Sequence, residues 1–411
     1  MTETSPRIAR LLRDLAEGGG RVVEDFWREM VARGAPLVEE VEDSSALVTF
    51  VWRGEAAYTA TAWGIEVELS RIPGTDLWYG SRRLPVDLRT IYYLRHCGDA
   101  IPTSLSGTGA SHIDILNPRH VRFPADRSDP NDRPHFVSLL ELPAAPTDRW
   151  SRPRPGVARG SLMPTSIRTE ALGGRRRIVV YRPAAVTNEV PALLVVFDGF
   201  RSRAVLRMPT TLDNLIGARR IPPTMALFVN APSGERRSRE LRPGARIRNF
   251  VLRELMPWAQ RRWEFSEDPR RRVVAGSSLG GLAAAYVALV APHVFGGVIA
   301  QSGSFWWPAS PSARPEWLTR AYASRPRLPL RFYLDVGNGE TISPPGNYID
   351  QVTVNRRLRD VLVEHGYPVS YAEYSGGHDY VNWRRTFADG LIAVLGSPAP
   401  SVSAHRAPGH E

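Results

Sequence analysis

From residue 166 onward, short apolar runs alternate with segments whose apolar residues recur at helical spacing. The runs typical of buried strands are 177–181, 193–197, 225–229, 272–275, 297–300, 331–336 and 369–373. The segments with helical spacing are 247–263, 282–290, 348–365 and 383–395. Strands that alternate with helices form a mostly parallel sheet covered by helices on both faces. We therefore predict an α/β domain over residues 166–397.

The first part of the chain has a different pattern. Residues 5–33 show helical periodicity. Short β-rich runs separated by turn residues follow, at 47–52, 57–62, 65–69, 90–94 and 136–140. Short strands at such spacing are typical of an all-β sandwich. The predicted divisions are an N-terminal helical segment (1–40), a β-sandwich domain (41–145), a Pro- and Arg-rich linker (146–165), the α/β domain (166–397) and a disordered tail (398–411).

All 53 basic residues are arginine, and with 42 acidic residues they give the chain a net charge of +11. The arginines are spread along the whole chain, whereas nucleic-acid binding needs a clustered basic face. We therefore expect no nucleic-acid partner. Codon bias in a GC-rich genome is one explanation of the arginine content. An anionic partner is the other, because arginine forks match carboxylate, phosphate or catecholate oxygens.

The only cysteine, Cys97, excludes an intramolecular disulfide and is typical of a reducing compartment. Arg7 and Arg13 interrupt the apolar residues of the N-terminus, which therefore lacks the apolar core of a signal peptide. The longest apolar stretch, 275–300, contains five glycines and Pro292, which favours a turn, a helix and a strand over a membrane span. We expect a cytoplasmic protein without a membrane partner. The sequence leaves the oligomeric state open.

The segment Gly276-Ser277-Ser278-Leu279-Gly280 fits the pattern G-x-S-x-G with Ser278 at its centre. A predicted strand (272–275) precedes it and a helix follows, which is the context of a nucleophile elbow. Glycines are needed there because flanking Cβ atoms clash at a strained turn. We predict that Ser278 is a catalytic nucleophile and that the N–H of Leu279 faces the developing oxyanion.

His378 is the candidate base, because it alone among nine histidines lies in a loop that follows a late strand and precedes a helix. The acid that orients it is expected after the strand 331–336. Glu340 lies in the loop at the carboxyl end of this strand, where sites form, and is the preferred candidate. Asp335 within the strand is the alternative. In a third arrangement His378 works as a dyad with Ser278 or uses a carboxylate elsewhere.

Several longer motifs resemble the enterochelin (enterobactin) esterase family. In the second half they are Val274-Ala275-Gly276-Ser277-Ser278-Leu279-Gly280-Gly281-Leu282, Phe295-Gly296, Gln301-Ser302-Gly303-Ser304-Phe305-Trp306-Trp307, Gly376-Gly377-His378-Asp379 and Trp383-Arg384. In the first half they are Val48-Thr49-Phe50-Val51-Trp52-Arg53, Pro73-Gly74-Thr75-Asp76-Leu77-Trp78, Asp114-Ile115-Leu116-Asn117-Pro118 and Leu140-Glu141-Leu142-Pro143. The family usually has proline at the position of Ile115. The resemblance spans about 47–395, most of the chain.

This resemblance implies an immunoglobulin-like β-sandwich followed by an α/β-hydrolase domain. It also implies a serine esterase that hydrolyses the ester bonds of a catecholate trilactone siderophore, so that iron is released inside the cell. Iron is cargo in that reaction, and the chemistry needs no cofactor and no catalytic metal.

The resemblance further assigns site residues. Ser278 matches the nucleophile, His378 the base, and the loop Asp198-Gly199-Phe200 the segment whose Phe200 N–H is the second oxyanion donor. A ferric tris-catecholate is strongly anionic and aromatic, so it favours cationic and aromatic contacts. The residues expected to bind it are Arg201, Arg239, Trp306, Trp307 and Trp383, with Arg203, Arg236 and Arg237 nearby.

Two other functions are compatible with these residues. The loop Asp198-Gly199-Phe200-Arg201 also resembles that of mycolyltransferases, which pass an acyl group to a sugar and are exported. A non-catalytic siderophore or carbohydrate binder is the other alternative, although the intact elbow and His378 argue against it.

Overall fold

The structure is a computed structural model that describes residues 5–18, 21–97, 110–130, 132–184, 189–308, 314–341 and 349–396. The predicted tail at 398–411 lies outside the described residues. Within the described part of the chain, no helix is both long and apolar enough to cross a membrane.

The chain begins with two helices, α1 (Pro6–Ala16) and α2 (Val22–Arg33). Ser5 caps α1 by accepting a hydrogen bond from the N–H of Ile8 at 3.0 Å, and Pro6 occupies the first helical position, which suits its fixed φ. The apolar faces of the two helices, including Leu11 and Phe26, pack together with Val51 of the adjoining sheet. The helical pair is therefore held by burial against the first sheet.

Nine strands follow within the residues that the structure describes before 145. They are β1 (Leu37–Glu39), β2 (Ser45–Arg53), β3 (Tyr58–Trp63), β4 (Glu68–Arg71), β5 (Leu77–Pro85), β6 (Arg89–Cys97), β7 (Ala110–His112), β8 (His120–Phe123) and β9 (His135–Glu141). They pair antiparallel in the order β1-β2-β5-β4-β3-β6-β9-β8, and β7 pairs with β6. Phe50 of β2 and Tyr92 of β6 belong to one core, with ring centroids 5.0 Å apart, although their strands are far apart in the sheet order. The sheet therefore folds back on itself around a core of its own.

The second half contains eight strands and nine helices of the described chain. The strands are β10 (Ser161–Thr169), β11 (Gly174–Arg182), β12 (Ala192–Val196), β13 (Thr224–Val229), β14 (Arg272–Ser277), β15 (Gly297–Gln301), β16 (Arg331–Gly337) and β17 (Val369–Tyr374). The helices are α3 (Gly199–Ala204), α4 (Met208–Gly217), α5 (Gly234–Leu241), α6 (Ala245–Asn249), α7 (Met256–Gln260), α8 (Leu279–Val290), α9 (Trp317–Ala323), α10 (Gln351–Glu364) and α11 (Tyr380–Leu395). A π-helical turn, Phe250–Leu255, joins α6 to α7, and a 3₁₀ turn, Pro269–Arg271, precedes β14.

The strand order of this second sheet is β10-β11-β13-β12-β14-β15-β16-β17. The pairs β10–β11 and β11–β13 are antiparallel, and all further pairs are parallel. Alternate residues of β12 face opposite sides: Leu193 and Val195 pack into one helix-covered core, Leu194 and Val196 into the other. This two-sided burial explains the unbroken apolar runs of the central strands. The order and the covering helices are those of an α/β-hydrolase-like domain.

Two strands lie close to the ends of the predicted divisions. β1 lies inside the predicted helical segment 1–40, because Leu37–Glu39 pairs with β2. β10 begins at Ser161, inside the predicted linker 146–165, and it pairs along its whole length with β11. Its first residues are exposed at a sheet edge, where a strand needs no apolar alternation and even tolerates Pro164. The sequence periodicity also does not predict the short helices α3, α4, α5 and α9.

A buried ion pair joins β11 to α5 and yields a prediction for stability. Arg176 donates to Glu240 at 2.5 Å, and both side chains are buried. The change Glu240→Ala leaves a buried guanidinium without its counter-charge, so we expect the free energy of unfolding to fall by about 3 kcal/mol or more. Urea unfolding followed by circular dichroism measures it. Asp360→Ala, which removes an exposed pair with Arg359, is the control and should cost less than about 1 kcal/mol. Equal losses in the two variants would contradict the assignment.

Candidate active site

Ser278 occupies a sharp turn between β14 and α8, with φ 59° and ψ −124°. This positive φ is costly for a residue with a Cβ, so neighbouring groups must hold it in place. The Ser278 N–H donates to the carbonyl of Gln301 on β15 at 2.9 Å. A Cβ on Gly276 would lie 2.4 Å from the carbonyl carbon of Gly280, so only glycine fits there. The local geometry is that of a nucleophile elbow.

The turn directs Ser278 into a cleft of about 380 Å³ at the carboxyl edge of the second sheet. His378 lines the same cleft, and so do Phe200 and Trp383. The Ser278 hydroxyl lies 3.3 Å from the hydroxyl of Ser304. The structure therefore brings the predicted nucleophile and base to one cavity.

His378 lies in the loop between β17 and α11, and its Nδ1 is 2.5 Å from Oε2 of Glu340. Glu340 is 6% exposed, and its other oxygen accepts hydrogen bonds from the Ser302 hydroxyl at 2.6 Å and the Gly337 N–H at 2.8 Å. A carboxylate held in this way requires the Nδ1 position to carry the proton, which leaves Nε2 free to accept one. The ring is thus oriented as a general base requires.

Asp335, the alternative acid, lies in different surroundings. It is fully buried on β16, and its Oδ2 lies 3.5 Å from Nε2 of Gln301. Burial raises the pKa of Asp335 to about 7, although hydrogen bonds from Thr386 and Gln301 oppose the shift. Its contacts are with β15 and α11, whereas Glu340 contacts the His378 ring.

The loop predicted to supply the second oxyanion donor follows β12. Asp198 adopts a left-handed conformation, φ 55°, and Arg237 holds its carboxylate with two hydrogen bonds of 2.6 Å. A Cβ on Gly199 would lie 2.4 Å from the backbone of Phe228, so the loop packs directly on β13. Phe200 and Leu279 each lie in the first turn of a helix, where backbone N–H groups have no partner within the helix. Both positions suit the oxyanion donors predicted from the sequence.

The predicted substrate-binding residues divide into two groups. Arg201 and Trp383 line the cleft. Arg239, Trp306 and Trp307 are not among its lining residues in the described chain. Arg239 is exposed on α5, while the two tryptophans pack against the core of the sheet. The sequence alone does not show that these two indole rings contact the hydrophobic core.

Within the cleft, Arg201 and Trp383 are already engaged. Arg201 donates to both carboxylate oxygens of Asp132 at 2.9 and 3.0 Å and to the carbonyl of Pro124 at 2.9 Å. Trp383 is 3% exposed, donates to the Ser302 hydroxyl at 2.9 Å, and meets the His378 ring edge-on at 4.8 Å. Trp383 therefore packs against the ring of the predicted base.

Sequence reasoning missed the contribution of the first half of the chain to this cleft. Trp63 lines it, and so do three carboxylates from the connection between β8 and β9: Asp126, Asp129 and Asp132. The acidic stretch was visible in the sequence, but nothing in it indicated which distant segment it contacts. Among the described residues, no group of three or more His, Cys, Asp or Glu side chains is arranged to hold a metal ion.

Comparison with known proteins relates both halves to one family. A family model described as "Enterochelin esterase, N-terminal" matches residues 47–151, and one described as "Putative esterase" matches residues 169–394. The iron(III) enterobactin esterase of Dickeya dadantii is 31% identical over 92% of this chain and 95% of its own. The iron(III) salmochelin esterase of Escherichia coli is 30% identical over 96% of this chain and 99% of its own.

Solved structures of enterobactin esterases are also similar to this chain. The enterobactin esterase of Shigella flexneri, crystallised in the presence of enterobactin, superposes with a TM-score of 0.68 at 25% identity, covering 90% of this chain and 97% of its own. The ferric enterobactin esterase of Salmonella typhimurium has a TM-score of 0.69 at 26% identity, with coverage of 90% and 98%. The resemblance therefore extends across both halves of the chain.

The contact between Glu340 and His378 predicts which carboxylate catalysis requires. We expect Glu340→Gln to lower kcat for an activated aryl ester by about a thousandfold, because the neutral amide cannot stabilise the imidazolium. Asp335→Asn serves as the control and should keep kcat within about threefold of wild type. Steady-state kinetics on the two variants measure this. A larger loss in Asp335→Asn than in Glu340→Gln would reverse the assignment.

Asp335 also predicts a pH dependence of stability. Its pKa is raised in the folded state, so folding favours the protonated form, and the folded protein loses stability as pH rises from about 4 through 7. Asparagine stays neutral throughout. Asp335→Asn should therefore differ least from the wild-type Tm at or below pH 4 and exceed it at pH 8, as scanning calorimetry would measure. The same Tm difference at both pH values would count against a buried, titrating carboxyl.

Proposed function

The chain belongs to the enterochelin esterase family, and we propose that it hydrolyses the ester bonds of a catecholate trilactone siderophore of the enterobactin type. It is a carboxylic ester hydrolase. The observation that carries the proposal is the arrangement of Ser278, His378 and Glu340 in a chain that is similar along both halves to enterobactin and salmochelin esterases. The relatives are named as esterases, which does not favour acyl transfer or binding without catalysis.

In the proposed mechanism Ser278 attacks a lactone carbonyl while Nε2 of His378 removes its proton. The negative charge on the carbonyl oxygen is stabilised by the N–H groups of Leu279 and Phe200. Glu340 holds the ring through Nδ1 and stabilises the imidazolium that forms. When the intermediate collapses, the C–O bond of the ester breaks. His378 then returns the proton to the alcohol oxygen of the substrate, which leaves as a hydroxyl group. An acyl-enzyme on Ser278 remains.

Hydrolysis then repeats these steps with water. His378 removes a proton from a water molecule, the hydroxide attacks the acyl carbon, and the Ser278 oxygen leaves with the proton from His378. One ester bond is exchanged for one carboxylic acid and one alcohol. Each turnover opens or shortens the trilactone and weakens its hold on a bound ferric ion, which is substrate cargo in this reaction.

Three finer points belong to the same proposal. We assign residues 41–145, extended by β1, to an immunoglobulin-like sandwich, supported by the folded β-layer around Phe50 and Tyr92. We assign residues 166–397, extended by the first residues of β10, to the esterase domain. We propose a cytoplasmic location, consistent with the single cysteine. We also propose that the substrate is the ferric form, and that Arg201 contacts it in the cleft after the ion pair with Asp132 opens.

The first test is the reaction itself. Wild-type protein incubated with ferric and iron-free trilactones should give linear trimer and shorter fragments, identified by mass spectrometry. Ser278→Ala should give none above background, because the remaining groups have no nucleophile to activate. Intact trilactone after incubation with the wild type, or unchanged cleavage by Ser278→Ala, would overturn the proposal.

The ion pair between Arg201 and Asp132 tests the ferric form. Asp132 neutralises the arginine that an anionic substrate would contact. Asp132→Asn should therefore lower KM for the ferric trilactone by about three- to tenfold, and Arg201→Gln should raise it by a similar factor. The matched measurement is KM for the iron-free trilactone, which carries less charge and should change less. Equal changes for both substrates would show that charge recognition does not occur at Arg201.

A further inference from the structure

The loop that carries His378 is attached to the first domain as well as to its own. At its start, the backbone N–H of Arg89 on β6 donates to the carbonyl of Ser375 at 3.2 Å. At the histidine itself, Nε1 of Trp63 on β3 donates to the backbone carbonyl of His378 at 3.1 Å. The domain that supplies neither nucleophile, base nor acid therefore bonds directly to the residue proposed as base.

A buried carboxylate strengthens this attachment. Asp379, which follows His378, is fully buried and caps α11 by accepting hydrogen bonds from the N–H groups of Val381 at 3.0 Å and Asn382 at 3.2 Å. Its other oxygen accepts a hydrogen bond from the Thr90 hydroxyl of β6 at 2.7 Å. A carboxylate away from water needs such donors, because leaving one oxygen unsatisfied is costly. Thr90 thus provides the hydrogen bond that the second carboxylate oxygen of Asp379, next to His378, requires.

The backbone of this loop packs closely against the backbone of the first domain. A Cβ on Gly377 would lie 2.1 Å from the carbonyl oxygen of Gly64, and a Cβ on Gly376 would lie 2.7 Å from that of Arg89. The two domains are in backbone contact here because the loop has glycine at both points and the first domain has Gly64 at the closer one. Asn382 adds a further bond across the boundary, from its Nδ2 to the carbonyl of Arg89 at 2.7 Å.

We propose that Thr90 and Trp63 are positioning residues, through which the first domain sets the height of His378 above Ser278. Glu340 fixes the rotation of the imidazole ring from within the esterase domain, and the first domain fixes the backbone that carries the ring. Misplacement of a reacting group by about 1 Å costs about a hundredfold in rate, so this attachment bears on catalysis as well as stability. The inference rests on the proposed function, because it takes His378 as the base.

The test uses two substitutions at Thr90, which does not line the cleft in the described chain. Thr90→Val keeps the shape of the side chain and removes the hydroxyl, and Thr90→Ser keeps the hydroxyl. We expect Thr90→Val to lower kcat for 4-nitrophenyl acetate by about ten- to a hundredfold with KM little changed. Thr90→Ser should stay close to wild type. Equal impairment in the two variants would mean that the hydroxyl is not the group that matters, and would overturn the proposal.

Thr49→Val controls for a general loss of stability in the first domain. The Thr49 hydroxyl is also fully buried and bonds to the hydroxyl of Ser81 at 2.8 Å, on the β2–β5 pair away from the His378 loop. We expect this variant to lose thermal stability as Thr90→Val does but to keep its kcat. If kcat falls equally in both, the effect is structural and the positioning role is excluded.

A spectroscopic readout makes the test independent of any substrate. The short bond between Nδ1 of His378 and Glu340 should give a low-field proton resonance in the wild type. This resonance should shift or broaden in Thr90→Val and remain in Thr49→Val; an unchanged resonance with unchanged kcat would refute the proposal. Because the assay ester is not a siderophore, failure to cleave trilactones would overturn the proposed substrate and leave this result standing.

Discussion

The backbone at Ser278 adopts a conformation that most residues avoid, and the architecture around the cleft depends on it. With φ at 59°, the chain reverses between β14 and α8 and exposes the hydroxyl at the sheet edge. The turn is possible because Gly276 and Gly280 bring their backbones together and because Gln301 accepts the serine N–H. Strain of this kind persists only where surrounding structure holds it, and here the two neighbouring parallel strands supply that support.

The parallel sheet then determines where the other functional groups lie. Parallel strands end at the same edge, so loops far apart in sequence converge there. The loop after β12 brings Phe200, the segment after β16 brings Glu340, and the loop after β17 brings His378. The first domain closes the arrangement through Trp63 and the Asp132 loop. The site is therefore a property of both domains.

The sequence predicted best what depends on local pattern. The apolar runs of the central strands, the glycines of the elbow and the position of His378 after a late strand all have local signatures. The sequence favours Glu340 over Asp335 because it lies in a loop rather than within a strand, and in the structure Oε2 of Glu340 lies 2.5 Å from Nδ1 of His378. The ends of elements were less predictable: β1 and β10 are edge strands, whose pairing with a neighbour leaves little pattern in their own residues.

The sequence could not predict which residues the arginine and tryptophan side chains contact. Arg201 and Asp132 are 69 residues apart, and nothing periodic links them. From the sequence, Trp306 and Trp307 could each stack on a ring of the substrate. In the structure both pack against the hydrophobic core. Charge and aromatic content indicated the kind of substrate, whereas the pairing of side chains across the domain boundary determines which residues remain available to bind it.

The central claim is that one serine performs the reaction, and active-site titration tests it most directly. A fluorophosphonate reagent should label Ser278, located by peptide mass spectrometry, and trilactone cleavage should fall in proportion to the labelled fraction, reaching zero at one label per chain. Fully labelled protein that still cleaves the trilactone, or loss of activity with the label on another residue, would contradict the proposed mechanism.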